Sequence, residues 1–315
     1  MITLSDIKKA RETLRNTGIK QTPVLTSQLI SERYQNRILF KGEHLQKTGA
    51  FKVRGAAVKV GQEVAKGADH VIAASSGNHG QAVAYHAQRL GVRSTIIAPV
   101  DAAACKKDAI ETYKGNIELC GTTSEERITR AKQLAEESDG SFIPPYDDPA
   151  IMSGQGTVGL EICEQVDQLD AVYVPVGGGG LISGTATAIK EQFPHVRVIG
   201  VEPSLANDTY LSYHNGRRTS IQKAPTIADG LRASIPGELT FPVLQKYVDD
   251  IVLVSEEEIK EAFTQIFTYM KQVIEPSSAA AAAGAFKHRN QNENVVVVVS
   301  GGNVDPAVIP DLLVQ

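Results

Sequence analysis

Cysteine is scarce in this chain: Cys105, Cys120 and Cys163 lie far apart, with no C-x-x-C spacing among them. That excludes a disulfide framework and a cysteine zinc site, and leaves three reduced thiols expected to be buried packing residues. Long apolar runs are missing too. No stretch reaches the ~18 to 20 residues that cross a bilayer, and the opening "MITLSDIKKARETL" lacks the apolar region of a signal peptide. No membrane partner and a cytoplasmic location are therefore expected. Nor does one charge dominate. With 32 Lys+Arg against 36 Asp+Glu, the net charge of −4 gives no general attraction to phosphate backbones, so nucleic acid is not an expected partner. The phosphate signature G-x-x-x-x-G-K-[ST] is absent. The one G-x-G-x-x-G, Gly154 to Gly159, follows "DDPAIMS" instead of a strand, which points to close helix packing and away from a dinucleotide site.

What is present is an α/β rhythm. Short β-branched runs recur at 37–40, 70–74, 94–98, 116–120, 171–176, 196–201, 250–254 and 294–300, nearly all apolar, as in strands covered on both faces of a parallel sheet. Helical patterns separate them. One opens with a capping box, Ser255 and Glu258, and is expected to run to about Val273. A length of 315 residues suits one large α/β unit or two lobes sharing a cleft. The Pro-rich "IPPYDDP" at 143–149 marks a boundary, giving a large lobe of 1–64 and 148–315 and a small lobe of 65–147.

Open α/β sheets bind ligands beyond the carboxyl ends of their strands, so the strand-to-helix turns carry the chemistry. In "YVPVGGGGLISG", Gly177, Gly178, Gly179 and Gly180 let the main chain close on an anion at a helix N-terminus, a phosphate cradle; a tight turn without a ligand is the alternative. In "AASSGNHGQAVAYHA", Ser75, Ser76, Asn78 and His79 offer hydroxyls and fresh amides suited to a carboxylate, although plain N-capping by Ser76 or Asn78 explains the same residues. By itself His79 reads as structural. In "VVVVVSGGN", Ser300 could meet a heterocyclic nitrogen or simply cap a helix. Lys52, in "LQKTGAFKVRGAA", begins a helix behind Phe51. Taken alone it reads as a solvated helix lysine; facing a cleft with those turns, it would be a desolvated, imine-forming amine, and pyridoxal phosphate supplies the aldehyde, phosphate and ring nitrogen they anticipate.

Taken in order, "KTGAFKVRGA", "SSGNHGQA", "VPVGGGGLISG", "IEPSSA" and "SGGN" resemble, over nearly the whole chain, the fold-type II pyridoxal-phosphate enzymes of the serine/threonine dehydratase and serine racemase family. The resemblance implies a tryptophan synthase β-like α/β fold: two doubly wound parallel-sheet lobes with pyridoxal 5'-phosphate in the cleft between them. It implies that Lys52 carries the Schiff base, Phe51 packs near the cofactor ring, Asn78 meets the 3-hydroxyl oxygen, Gly177 to Gly180 take the phosphate, Ser300 the pyridine nitrogen, and Glu275 lies near the ring. Ser75, Ser76, Asn78 and His79 would hold the substrate carboxylate, with Ser76 as acid/base on the face opposite Lys52. "GVEPSLANDTY" is similar to the divalent-cation site of serine racemases, so Glu202, the Ala206 carbonyl and Asp208 would bind magnesium, manganese or calcium.

The implied activity is serine racemisation, serine/threonine dehydration, or both, on a small amino-acid substrate. Dehydration of threo-3-hydroxyaspartate is an alternative within the family, and a catalytically silent cofactor-binding or regulatory protein is one outside it. A homodimer is expected, with room for a nucleotide effector. "IPPYDDP", with Tyr146 and the Asp147–Asp148 pair, looks more like the biodegradative threonine dehydratases than the animal racemases.

Overall fold

The apolar runs form the strands they predict; those at 37–40, 70–74, 171–176 and 294–300 are buried on both faces, whereas those at 116–120 and 250–254 lie at sheet edges and are only partly covered. The computed structural model describes residues 1–75, 77–100, 102, 104–121 and 123–314. Among these the strands are β1 Val24–Thr26, β2 Arg37–Gly42, β3 His70–Ala74, β4 Arg93–Ala98, β5 Asn116–Leu119, β6 Ser141–Phe142, β7 Ala171–Pro175, β8 Arg197–Pro203, β9 Asp250–Val254 and β10 Asn294–Val299. They make a six-stranded sheet, β1-β2-β10-β7-β8-β9, and a four-stranded sheet, β5-β4-β3-β6. The two sheets are the α/β, two-domain architecture that the sequence led one to expect. One departure is β1, which pairs antiparallel to β2 at the sheet edge; β1 and β6 are too short to stand out as apolar runs.

Alternation along β10 shows the double winding. Val295, Val297 and Val299 pack with Phe40, Tyr173, Phe263 and the alanines of the helix Pro276–Phe286. Val296 and Val298 face the other way, onto Leu39, Val158, Val174 and Ile182. In the smaller sheet Val71, Ala73 and Ile96 pack against Val53, Ala56 and Val60 of the helix Lys52–Ala65. That helix starts at the carboxyl end of the large sheet, where Phe51 N–H donates to Ser300 O at 2.9 Å, and runs beneath the small one. Lys52 is thereby placed at the junction of the two sheets.

The G-x-G-x-x-G stretch lies within the helix Pro149–Gln165, and its glycines are contact points. A Cβ on Gly154 would come within 2.6 Å of Gly55 Cα, and one on Gly159 within 2.7 Å of Thr185 O. Two expectations need correction. The capping box of Ser255 and Glu258 is present, but the α-helix ends at Gln265, continues as a π-helix over Ile266–Met270 and stops at Lys271 with φ 57, short of Val273. The widened turn swings the chain back so that Ile274 is buried and Glu275 reaches the cleft. The three free cysteines are only partly buried. Cys105 opens a helix, Cys120 follows the edge strand β5 and Cys163 lies in the last turn of its helix. Among the described residues no helix is long and apolar enough to cross a membrane.

Candidate active site

Between the carboxyl ends of the two sheets lies a cavity of about 650 Å³, with Lys52, Ser75, Asn78, Gly177 to Gly180, Glu275 and Ser300 on its wall. The helix carrying Lys52 is held by a buried charge network two residues on. The Arg54 guanidinium donates to Glu43 at 2.7 and 2.8 Å and to Glu161 at 2.6 and 2.9 Å, and Lys41 Nζ adds a contact to Glu161 at 2.6 Å. With every charge paired, the network fixes the helix against Pro149–Gln165. Lys52 Nζ donates to Pro145 O at 2.7 Å and stands 5.3 Å from the centre of the Phe51 ring. Burial lowers its pKa to about 8, although the Glu275 carboxylate pulls the other way. An amine in that range is neutral often enough to attack an aldehyde.

The glycine loop joins β7 to the helix Gly180–Lys190. Gly179 has φ +91, and every glycine of the four is in close contact: a Cβ on Gly177 would lie 3.1 Å from Gly230 O, on Gly178 2.4 Å from the Tyr146 ring, on Gly179 2.8 Å from Thr240 Oγ1 and on Gly180 2.9 Å from Tyr146 Cβ. Larger residues could not pass there, and the fresh amides of the helix start line the cavity.

Across the cavity, Ser75 Oγ accepts from Gly77 N–H at 3.0 Å and Asn78 begins the helix Asn78–Leu90. Ser76 lies outside the described residues. The His79 ring is bonded through Nε2 to Ile143 O at 2.9 Å, and burial first, then the Lys52 charge, depress its pKa to about 3. It is a neutral ring tied to the backbone.

At the end of β10, Ser300 Oγ lies 3.0 Å from Ser278 Oγ, which also holds both the N–H and the carbonyl of Gly301. Glu275 precedes the helix Pro276–Phe286. Its carboxylate receives the Asn78 amide at 3.0 Å on each oxygen, and Asn303 donates at 2.8 Å to the Asn78 oxygen. Burial, then the negative Asp229, raises Glu275 to about 7. Asp229 itself pairs with Lys106 across the cavity.

Glu202 and Asp208 sit outside this cavity and are fully buried, as is Ala206. Glu202 accepts from Thr209 N–H at 3.1 Å and Tyr210 N–H at 2.7 Å, while both Asp208 oxygens are without a hydrogen-bond partner among the described residues. Burial and the neighbouring Asp208 raise Glu202 well above the usual carboxylate range, and burial lifts Asp208 to about 7. Two neighbouring buried acids, one of them with both oxygens idle, fit a hard cation. Among the described residues no three His, Cys, Asp or Glu side chains gather as a metal cluster, so a cation would also need the Ala206 carbonyl and water.

Sequence reasoning missed Ser278, Thr240 and the Lys106–Asp229 pair, and assigned no role to Tyr146 or Asp147. Ser278 stands in the quoted "IEPSSA"; the others come together only on folding.

This architecture and lining, with a desolvated lysine beside a four-glycine loop, are those of a cofactor enzyme. The family model described as "Pyridoxal-phosphate dependent enzyme" matches residues 15–301, and the chain belongs to that family. Among relatives, the L-threonine ammonia-lyase of Thermotoga maritima is 40% identical over 97% of this chain and 76% of its own. The L-threo-3-hydroxyaspartate ammonia-lyase of Saccharomyces cerevisiae is 41% identical over 91% of this chain and 89% of its own. The crystal structure of serine racemase from Dictyostelium discoideum, 40% identical, aligns with a TM-score of 0.88 over 96% of this chain and 99% of that one.

Proposed function

We propose that the chain deaminates, racemises or does both to a small β-hydroxy amino acid, with serine the leading substrate and threonine next. The observation that carries this is the convergence on one cavity of a lysine with its pKa lowered to about 8, a four-glycine loop and a hydroxyl-lined strand end. Gly177 to Gly180 would hold the cofactor phosphate, Ser300 the ring nitrogen, Asn78 the 3-hydroxyl, Phe51 and Glu275 the ring surroundings, and Lys52 the aldehyde carbon. When bound, pyridoxal 5'-phosphate supplies an electron sink that stabilises negative charge at the substrate Cα. Ser75, Ser76, Asn78 and the His79 segment receive the substrate carboxylate. Lys52 takes the α-proton on its own face. Ser76 returns a proton on the opposite face, whereas departure of the β-hydroxyl leads to the 2-oxo acid and ammonia.

Three side chains that could meet a second substrate carboxylate are committed elsewhere, whereas Arg127 and Lys132 also line the cavity. Arg232 donates twice to Thr226 O, at 2.9 and 2.6 Å, His79 is bonded to Ile143 O, and Lys106 is paired with Asp229.

The same reading includes a divalent cation at Glu202, Ala206 and Asp208, lobes of 1–64 with 148–315 and of 65–147, a cytoplasmic homodimer, and a nucleotide effector. A panel of both enantiomers of serine, threonine and 3-hydroxyaspartate, scored by 2-oxo acid and by chiral chromatography, tests the activity. No turnover on any of them by protein carrying its cofactor would sink it in favour of a silent cofactor-binding protein. Ser76→Ala should lower D-serine formation by about 10² to 10⁴, and pyruvate formation from L-serine by less.

A further inference from the structure

We propose that Asp147 is a positioning residue for the phosphate-binding glycine loop and acts on it through Thr240. The proposal rests on the reading that Gly177 to Gly180 hold the cofactor phosphate, and it concerns a segment, "IPPYDDP", that the activity by itself leaves without a role.

The helix Thr240–Tyr247 begins behind the glycine loop, and the residue before it, Leu239, offers no side-chain cap. Its bare amides are met from elsewhere in the chain. Asp147 Oδ2 accepts from Glu238 N–H at 2.9 Å, and Oδ1 accepts from Leu239 N–H at 2.8 Å and Thr240 N–H at 3.2 Å. Three amides on one carboxylate form a strong, charge-assisted cap. Entry of the carboxylate depends on Gly237, where a Cβ would lie 2.2 Å from Asp147 Oδ1.

The capped turn then grips the loop. Thr240 Oγ1 donates to Gly178 O at 2.8 Å, and Gly237 N–H reaches the same oxygen at 3.3 Å. Because a trans peptide is planar, holding the Gly178 carbonyl toward this turn aims the Gly179 N–H the opposite way, toward the cavity. Gly179 is also the residue with φ +91, a conformation that the surroundings must maintain.

Two neighbours extend the brace. The Tyr146 ring lies against Gly178, and Pro145 O accepts the Lys52 amine. Three successive residues thus touch the lysine, the loop and the support behind the loop. A carboxylate that never meets the cofactor decides where a phosphate-facing amide points.

The test is the affinity of cofactor-stripped protein for pyridoxal 5'-phosphate and for pyridoxal, which lacks the phosphate, in the wild type, Asp147→Ala, Asp147→Asn, Thr240→Val and Thr240→Ser, with melting followed in each. Asp147→Ala and Thr240→Val should each weaken the phosphate form roughly five- to thirtyfold and leave pyridoxal unchanged. Thr240→Ser should keep wild-type affinity, Asp147→Asn should fall between, and the Asp147→Ala/Thr240→Val double variant should lose no more than the larger single loss. Equal losses for both ligands, additive losses in the double variant, or full phosphate affinity in a folded Asp147→Ala protein would each overturn the proposal. If Asp147→Ala does not fold, Thr240→Val against Thr240→Ser decides. A wild type that binds both ligands alike would remove the glycine-loop reading, and this proposal with it.

Discussion

Lys52 is kept short of full protonation by burial, and that has a measurable consequence. Its pKa in the fold is about 8 against an ordinary 10.5, with Glu275 already opposing the shift. Between those values the folded chain binds fewer protons than the unfolded one, so the contribution of this lysine to stability rises with pH through that window and is lowest below about pH 8. Reactivity follows the same curve. The rate at which cofactor-stripped protein captures pyridoxal 5'-phosphate, followed by visible absorbance, should climb with pH and level off above about pH 8. A rate still climbing at pH 10 would mean an ordinary, solvated lysine. Lys52→Ala should fold yet show no such absorbance after dialysis; a retained band would assign the role to another lysine.

At the scale of the element, the turn after β7 is wedged between two supports that are distant in sequence. Gly179→Ala would place a Cβ in a left-handed backbone and within 2.8 Å of Thr240 Oγ1. The expected cost is about 1–3 kcal/mol of stability together with weaker cofactor binding. Gly216→Ala is the matched control, because Gly216 also has positive φ, +66, but meets nothing within 4 Å. Its cost should be about 1 kcal/mol, with cofactor affinity unchanged. Thermal melting and cofactor titration of the two variants compare them, and similar cofactor affinities would show that close packing of Gly179 has no bearing on the loop. Element ends were less legible than element starts. The box of Ser255 and Glu258 is a local device and was readable, while beyond the π-helix the chain is met by a residue distant in sequence, His44, which contacts Gln272 at 2.9 Å.

For the whole molecule, Glu202 and Asp208 bring a fixed cost: two acids buried beside each other in the large sheet's surroundings, one with both oxygens idle. A cation that binds only the folded chain would stabilise it by mass action, about 2.7 kcal/mol at a concentration one hundred times its Kd. Melting temperature should therefore rise with added magnesium, manganese or calcium, fall with chelator, and cease to respond in Asp208→Asn. Melting that is blind to chelator and cation in the unaltered protein would exclude the site.

By itself the sequence determined the elements whose cause is local. Apolar runs of β-branched residues marked the buried strands, glycines and serines marked the turns beyond them, and the motif set placed Lys52, Gly177 to Gly180 and Ser300 in one family of enzymes. Tertiary structure decided what depends on separation along the chain. Asp147 caps amides that begin 91 residues later, and Lys106 meets an aspartate 123 residues on. No periodicity or spacing records such pairs, because a carboxylate at a chain turn reads as solvated until packing removes the water and leaves only amides to bind it.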